Sequence, residues 1–150
     1  MAKIRKLGKY KLIGWREWVS LPELGIPAIK VKVDTGARTS ALHATNIRFH
    51  KQADGTTLVS FSVPIASGKK QKVQAPLIEK RKVRSSLGHD SIRPVILAQI
   101  ALGHEVWNTE VTLVNRDPMG FRMLLGRLAL RGRFIVHPNR SFLLSESETE

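Results

Sequence analysis

The feature that most constrains this chain is an acid placed where an alternating strand meets a tight turn. Across residues 29–34, apolar side chains alternate with Lys30, Lys32 and Asp34, which is the period-two pattern of a half-buried strand. Gly36 follows and permits a backbone turn that a side chain would obstruct. The pattern predicts that Asp34 ends a strand with its carboxylate available for catalysis, although Asp-Thr-Gly is also a common solvated turn.

The charge balance of the chain restricts its partners. The 150 residues are enough for one domain, and 25 Lys and Arg against 12 Asp and Glu give a net charge of +13. Glu146, Glu148 and Glu150 lie at the C-terminal end, so the remainder is more basic still. Such a field attracts nucleic acid, an anionic membrane surface or a glutamate-rich polypeptide, and composition does not choose among them.

Cysteine content and the N-terminal sequence bear on the compartment. The chain has no cysteine, which suits a reducing environment. No apolar run follows the first lysines and arginines that would serve as a secretory core or a membrane span. We therefore expect a cytoplasmic protein with no membrane association. We expect a basic N-terminal arm at 1–11, one folded domain at 12–144 and a disordered acidic tail at 145–150.

Alternating apolar residues and turn signals predict further strands along the chain. Leu12 to Val19 reads as a first strand that forms a hairpin with the strand leading to Asp34, whereas 39–44 fits either a helical turn or a strand. Gly103-His104 is typical of a tight hairpin connection. The other predicted strands are Val59 to Ile65, Gln71 to Ile78, Val95 to Leu102, Glu105 to Val114, Phe134 to Val136 and Phe142 to Leu144.

A second motif lies far along the chain from Asp34. Residues 123–130, Met-Leu-Leu-Gly-Arg-Leu-Ala-Leu, form an apolar strand that meets a glycine and continues as a short helical pattern. Together with D-T-G-A at 34–37, this motif resembles the retropepsin-like aspartic proteases. The longer stretch V-D-T-G-A-R-T-S-A-L-H-A at 33–44 is similar to a prokaryotic family labelled "ATP-dependent zinc protease". The resemblance extends from about Ile13 to Pro138.

The resemblance implies a fold and a catalytic arrangement. The fold would be an all-β, retropepsin-like closed barrel with one short C-terminal helix, assembled as a homodimer in which late strands join an intersubunit sheet. The activity would be that of an aspartic endopeptidase, with Asp34 supplied by both chains. Thr35 would bond across the two-fold axis, and Gly36 would leave the backbone beside the acid unobstructed.

Substrate contacts are implied on both sides of the acid. Residues 80–91, a basic stretch with a Ser-Ser-Leu-Gly tip, occupy the place of the retropepsin flap. Viral enzymes carry acids after D-T-G-A, and one of them pairs with the arginine of Gly-Arg. This chain has Arg38 there, so the bracing of Arg127 must differ. The expected substrate-binding residues are Ala37, Arg38, Arg84, Ser85, Ser86 and Leu87.

The sequence gives little support for a metal or a nucleotide. The five histidines form no H-E-x-x-H pattern or other close ligand cluster. No glycine-rich G-x-x-x-x-G-K motif is present for phosphate binding. We expect no metal and no cofactor.

The resemblance and the charge together suggest a substrate class. Relatives of the narrower family are associated with ATP-grasp ligases that add glutamates to protein tails. This association implies a glutamate-rich or acidic polypeptide as substrate, and a glutamate-ligase system as partner. Arg38 and the cations of the flap, Lys80, Arg81, Lys82 and Arg84, would then pair with substrate carboxylates.

Two rival functions remain open at the level of sequence. The first is a non-enzymatic, basic β-barrel that binds RNA or ribosomes. Trp15, Trp18 and Trp107 argue mildly against it, because they lie in strand patterns typical of a core and are not interleaved with cations as stacking platforms. The second is an inactive retropepsin-like fold kept as an interaction module.

Overall fold

The computed structural model describes residues 6–65, 68–84, 87–115 and 120–145. Within these ranges the chain is almost entirely β-structure, with one short α-helix, α1 (Arg127–Leu130), and 3₁₀ helices at Lys6–Lys9 and Pro22–Leu24. The strands are β1 (Lys11–Gly14), β2 (Arg16–Leu21), β3 (Ile26–Val33), β4 (Ser40–His43), β5 (Thr45–Lys51), β6 (Thr57–Pro64), β7 (Lys70–Pro76), β8 (Glu79–Arg84), β9 (Asp90–Leu102), β10 (Glu105–Val114), β11 (Met123–Leu125) and β12 (Phe134–His137).

Six of these strands close into a barrel. Their order is β10-β4-β11-β3-β2-β9, and β9 pairs with β10 to complete the ring. β8 extends this sheet beyond β9 and is its edge strand. The prediction of an all-β closed barrel with one short helix is confirmed, and so is the tight β9–β10 hairpin, in which Leu102 pairs with Glu105.

Two smaller sheets flank the barrel. β5, β6 and β7 form an antiparallel three-stranded sheet, and β1 pairs in parallel with β12. β12 pairs with β1 of its own chain, and the expected part of the 134–136 strand in an intersubunit sheet stays a prediction. No helix within the described ranges is long and apolar enough to cross a membrane.

The barrel is filled by branched aliphatic side chains from almost every strand. Burial of each such side chain contributes roughly 1.5–3 kcal/mol to the hydrophobic driving force. Trp107 is buried against Phe134, whereas Trp15 and Trp18 are half-buried and contact Phe121 and Phe142. The tryptophans therefore pack against other rings. Fully buried core residues include Ile13, Leu21, Ile26, Val31, Leu42, Ile96, Ile100, Met123 and Leu125.

The structure changes or completes three of the local strand predictions. The first predicted strand, 12–19, is divided at Trp15 because β1 pairs with β12, whereas β2 pairs with β3. The stretch 39–44, which the sequence left open, contains β4. The predicted strand at 142–144 is wrong: Phe142 has a left-handed φ of 54°, and the segment pairs with no strand among the described residues.

A buried acid explains the course of that last segment. Glu17 on β2 has 0% of its surface exposed. Its carboxylate accepts hydrogen bonds from the backbone N–H groups of Gly14 (2.6 Å), Leu143 (2.8 Å) and Ser145 (2.9 Å). A buried carboxylate must have such donors, because an unpaired buried charge is very costly. The backbone N–H groups of this segment therefore donate to the Glu17 side chain and not to a neighbouring strand. These hydrogen bonds hold 143–145 against β2.

A close backbone crossing positions the loop that follows β3. Gly126, directly after β11, lies so near this loop that a Cβ atom built on it would be 2.6 Å from the carbonyl carbon and oxygen of Thr39 and 2.9 Å from the carbonyl oxygen of Arg38. Real Cβ atoms essentially never approach a backbone so closely. Only glycine fits between β11 and α1 at this crossing.

Replacing this glycine should disturb the fold. Gly126→Ala has no φ penalty, because the residue has a φ of −91°, so its whole effect is steric. We expect a loss of about 1–3 kcal/mol in the free energy of unfolding, measured by urea denaturation monitored by tryptophan fluorescence.

Gly8 provides the matched control, since a Cβ atom there would meet nothing within 4 Å. Gly8→Ala should leave the unfolding midpoint nearly unchanged. Equal midpoints for the two variants would contradict the close crossing.

Candidate active site

Asp34 follows β3 directly, and backbone hydrogen bonds fix its main chain. Its N–H donates to the carbonyl of Leu125 on β11 at 2.8 Å, and its carbonyl accepts from the N–H of Ala37 at 3.2 Å. The side chain is half-buried, and Oδ1 accepts a hydrogen bond from the Gly36 N–H at 3.0 Å. The carboxylate thus lies at the end of a strand, next to the backbone of Gly36, as the sequence predicted.

The glycine crossing also braces the rest of this loop. The N–H groups of Arg127 and Leu128 donate to the carbonyls of Ala37 (2.8 Å) and Arg38 (3.1 Å). The Arg127 guanidinium donates through Nη1 to the Thr35 carbonyl at 3.0 Å. Arg127, the arginine of the Gly-Arg motif, therefore binds a backbone carbonyl in this chain. This bond replaces the pairing with an acidic side chain that viral enzymes have.

Sequence reasoning missed a buried serine at the same crossing. Ser40 is 1% exposed, and its hydroxyl accepts a hydrogen bond from the Gly126 N–H at 3.0 Å. The Ser40 carbonyl accepts one from the Thr112 hydroxyl at 3.0 Å. Nothing in the sequence around Ser40 indicates that its side chain is buried or hydrogen-bonded. Only the fold shows that its hydroxyl links β4 to the residue that follows β11.

The acid loop is accessible on one side. Thr35 and Gly36 are exposed, and Asp34 forms no hydrogen bond or ion pair with another carboxylate among the residues that the structure describes. One chain thus presents a single braced acid next to a free surface.

A cleft of about 390 Å³ lies beside this loop. Arg38 and Thr39 line one part of it, and the edge strand β8 lines another. The fold thus brings Arg38 to the same cleft as the basic strand that was predicted to form one arm of a flap. The other residues that line the cleft are Arg81, Lys82, Val83, Arg84, Glu110 and Leu128.

Most cations of this cleft already have acidic partners. Arg81 is bound by Glu79 and Glu110, and hydrogen bonds to these two carboxylates raise its pKa above the ordinary value. Asp90 binds both Lys82 (3.3 Å) and Arg84 (3.0 Å). In contrast, Arg38 is exposed and forms no ion pair with any residue in the described ranges.

The predicted flap is a β-hairpin formed by β8 and β9, in which Arg84 pairs with Asp90. Ser85 and Ser86, two of the expected substrate-binding residues, lie outside the described residues. Leu87 is 83% exposed. It lines a separate groove of about 630 Å³ between the hairpin and β5, and Arg38 does not line that groove.

The structure gives no candidate metal centre in the ranges it describes. No group of three or more His, Cys, Asp or Glu side chains is placed there to hold an ion. His43 is half-buried, and its Nδ1 lies 3.3 Å from the Val114 carbonyl oxygen. It ends β4 and lies opposite Val114 of β10.

Comparison with known proteins identifies relatives over most of the chain. A family model described as "Retropepsin-like aspartic endopeptidase RimB" matches residues 12–147. A "Probable alpha-L-glutamate ligase" of Desulfotalea psychrophila is 48% identical over 143 residues, which are 93% of this chain and 31% of that protein. A protein of the same name from Shewanella pealeana is 46% identical over 138 residues, 90% of this chain and 30% of that protein. The chain thus spans about a third of the length of these curated relatives.

A solved structure shows the same fold. The crystal structure of a Legionella pneumophila protein of unknown function matches with a TM-score of 0.74 and 30% identity, covering 89% of this chain and 98% of that one. Fold, motifs and family model therefore agree, and the chain belongs to the RimB-like family of retropepsin-like proteins.

Proposed function

We propose that this protein is an aspartic endopeptidase that acts as a homodimer on glutamate-rich polypeptides. The observation that carries the proposal is the position of Asp34, held after β3 by the Leu125 carbonyl and by the glycine crossing. This is the arrangement that the retropepsin-like family leads us to expect for a catalytic aspartate. Membership of that family supports the same reading.

The chemistry needs two carboxylates. One accepts a proton from water, whose oxygen forms a bond to the carbonyl carbon of the scissile peptide. The other, protonated, donates to the carbonyl oxygen. The tetrahedral intermediate then collapses, the C–N bond breaks, and the leaving nitrogen takes a proton. Two carboxylates about 3 Å apart cannot both be charged, so such a pair holds one proton and serves as acid and base together.

A second copy of the chain is the proposed source of the second carboxylate. No other described acid is paired with Asp34: Glu17 is buried, Asp54 lies in the β5–β6 turn, Asp90 begins β9, and Glu79 and Glu110 are bound to Arg81. Glu23 lies in the Pro22–Leu24 3₁₀ helix, and Glu105 begins β10. A symmetric dimer would bring Asp34 of the partner subunit to the axis. Thr35 and Gly36, which are exposed in one chain, would be covered there.

The charge of the chain and the names of its relatives support the proposed substrate class. The curated relatives are named probable alpha-L-glutamate ligases, and the matched region is only part of each. We propose that this region acts on polypeptides rich in glutamate. Arg38 supports this choice, because it is a cation without an ion-pair partner in the described chain and lines the cleft beside the acid loop. Ala37, Arg84, Ser85, Ser86 and Leu87 remain predicted substrate contacts.

Asp34→Asn should abolish peptide hydrolysis without unfolding the protein. The amide keeps the size of the side chain but neither shares a proton nor activates water, so we expect kcat to fall by about 10²–10⁴-fold or more. Hydrolysis of a fluorogenic oligoglutamate peptide measures the loss.

Asp54→Asn is the matched control, because Asp54 is an exposed aspartate whose carboxylate accepts hydrogen bonds from the N–H and the hydroxyl of Thr56 in the same turn. It should retain full activity. A chelator should also leave the wild-type rate unchanged. Loss of activity with EDTA and its return with zinc would support a metal enzyme instead.

Arg38→Ala should weaken the use of acidic peptides selectively. A lost charge-assisted contact predicts an increase in KM of about tenfold for an oligoglutamate peptide and little change for a neutral peptide. Rates on the acidic peptide should also fall steeply with salt, since the Debye length shrinks from about 10 Å at 0.1 M to about 3 Å at 1 M.

Arg48→Ala provides the control for net charge. Arg48 is an exposed arginine on β5, away from the residues that line the cleft. If both variants changed KM equally, or if the wild type cleaved both peptides equally at every salt concentration, the acidic specificity would be refuted.

A further inference from the structure

Arg81 is held in the cleft by two carboxylates. Its Nε donates to Glu79 Oε2 at 2.9 Å, and Nη2 donates both to Glu79 and to Glu110 Oε1, the latter at 2.9 Å. Glu79 is two residues away on the same strand, whereas Glu110 reaches Arg81 from β10. The side chains are partly exposed, 28% for Arg81 and 42% for Glu110.

Glu110 is the one acid among the described residues that line this cleft. Arg38, Arg81, Lys82 and Arg84 line it as well. The Glu110 carboxylate therefore occupies, on Arg81, the kind of position that the carboxylate of an acidic substrate side chain would take.

We propose that Glu110 is an internal counter-ion of Arg81 which an acidic substrate side chain displaces, so that Arg81 joins Arg38 in determining specificity. The inference rests on the proposed function, because it assumes that glutamate-rich chains enter this cleft. It distinguishes Arg81 from the other flap cations as a specificity-determining residue and assigns Glu110 the role of a competitor.

Two features of the hydrogen bonds among Glu79, Arg81 and Glu110 would let Glu110 be displaced while Arg81 stays in place. Glu79 binds Nε and Nη2 and so anchors one edge of the guanidinium when Glu110 leaves. Nη1 has no hydrogen-bond partner among the described residues, and the release of Nη2 from Glu110 presents a second donor. A planar guanidinium with two free donors suits a carboxylate.

The exchange is also feasible energetically. A partly exposed ion pair contributes little net stability, since water screens it and ordering two side chains costs entropy. A substrate carboxylate on Nη2 restores the charge-assisted hydrogen bond that Glu110 gives up, and Nη1 offers it a second donor. Glu110 would therefore weaken acidic binding by a modest factor, and it would disfavour neutral side chains, which cannot take its place on Arg81.

The test is a calorimetric titration of an oligoglutamate peptide into protein that carries Asp34→Asn, so that the peptide stays intact. Addition of Glu110→Gln should tighten the Kd about three- to fivefold, because the neutral amide still fits beside Arg81 but competes less. Glu105→Gln, at the first residue of β10 and outside the cleft lining, removes the same charge and should have a much smaller effect.

A second substitution shows whether the gain passes through Arg81. In the presence of Arg81→Gln, the change Glu110→Gln should no longer tighten binding. Equal or weaker affinity of the Glu110→Gln protein, an equal gain from Glu105→Gln, a gain that survives Arg81→Gln, or no binding in any variant would overturn the proposal. Failure of the proposed protease activity is seen separately, as the absence of cleavage by protein with Asp34 intact.

Discussion

The close approach of Gly126 to the carbonyls of Arg38 and Thr39 is the constraint on which the rest of the site depends. At this crossing β11 lies between β3 and β4, and a side chain at position 126 would push the loop after β3 away from β11. The same contact sets Arg127 and Leu128 to donate to the loop carbonyls and starts α1. One backbone contact therefore couples the start of α1 to the loop that carries Asp34.

Local patterns in the sequence were enough to predict this part of the molecule. Alternation across 29–34 and the glycine after an apolar strand are short-range signals, and both became the elements they indicated. The course of residues 143–145 was not predictable in this way. Their backbone donors bind Glu17, whose partners lie 126 to 128 residues away in sequence. An alternating pattern at 16–21 does not reveal that one of its inward positions is an acid with distant donors.

The ion pairs of the cleft could not be predicted from the sequence either. The sequence indicated a basic flap, but it did not indicate which cations are free, because pairing depends on which strands become neighbours. β8 lies against β9, and this places Asp90 beside Lys82 and Arg84, while Glu110 on β10 reaches Arg81. Arg38 is left without an ion pair in the described chain. Under the proposed function, the field that a substrate meets in this cleft would be set less by net charge than by the few cations whose partners can be exchanged.

Catalysis as proposed here requires two copies of Asp34 at one axis. Sedimentation and specific activity measured over the same concentration series test it most directly, because dilution separates the chains without altering any residue. If the active site is shared by two chains, activity per chain should fall in parallel with the dimer fraction. Wild-type chains should also lose activity when they are mixed with an excess of Asp34→Asn chains. A monomer that retains full specific activity at the lowest concentration would contradict it.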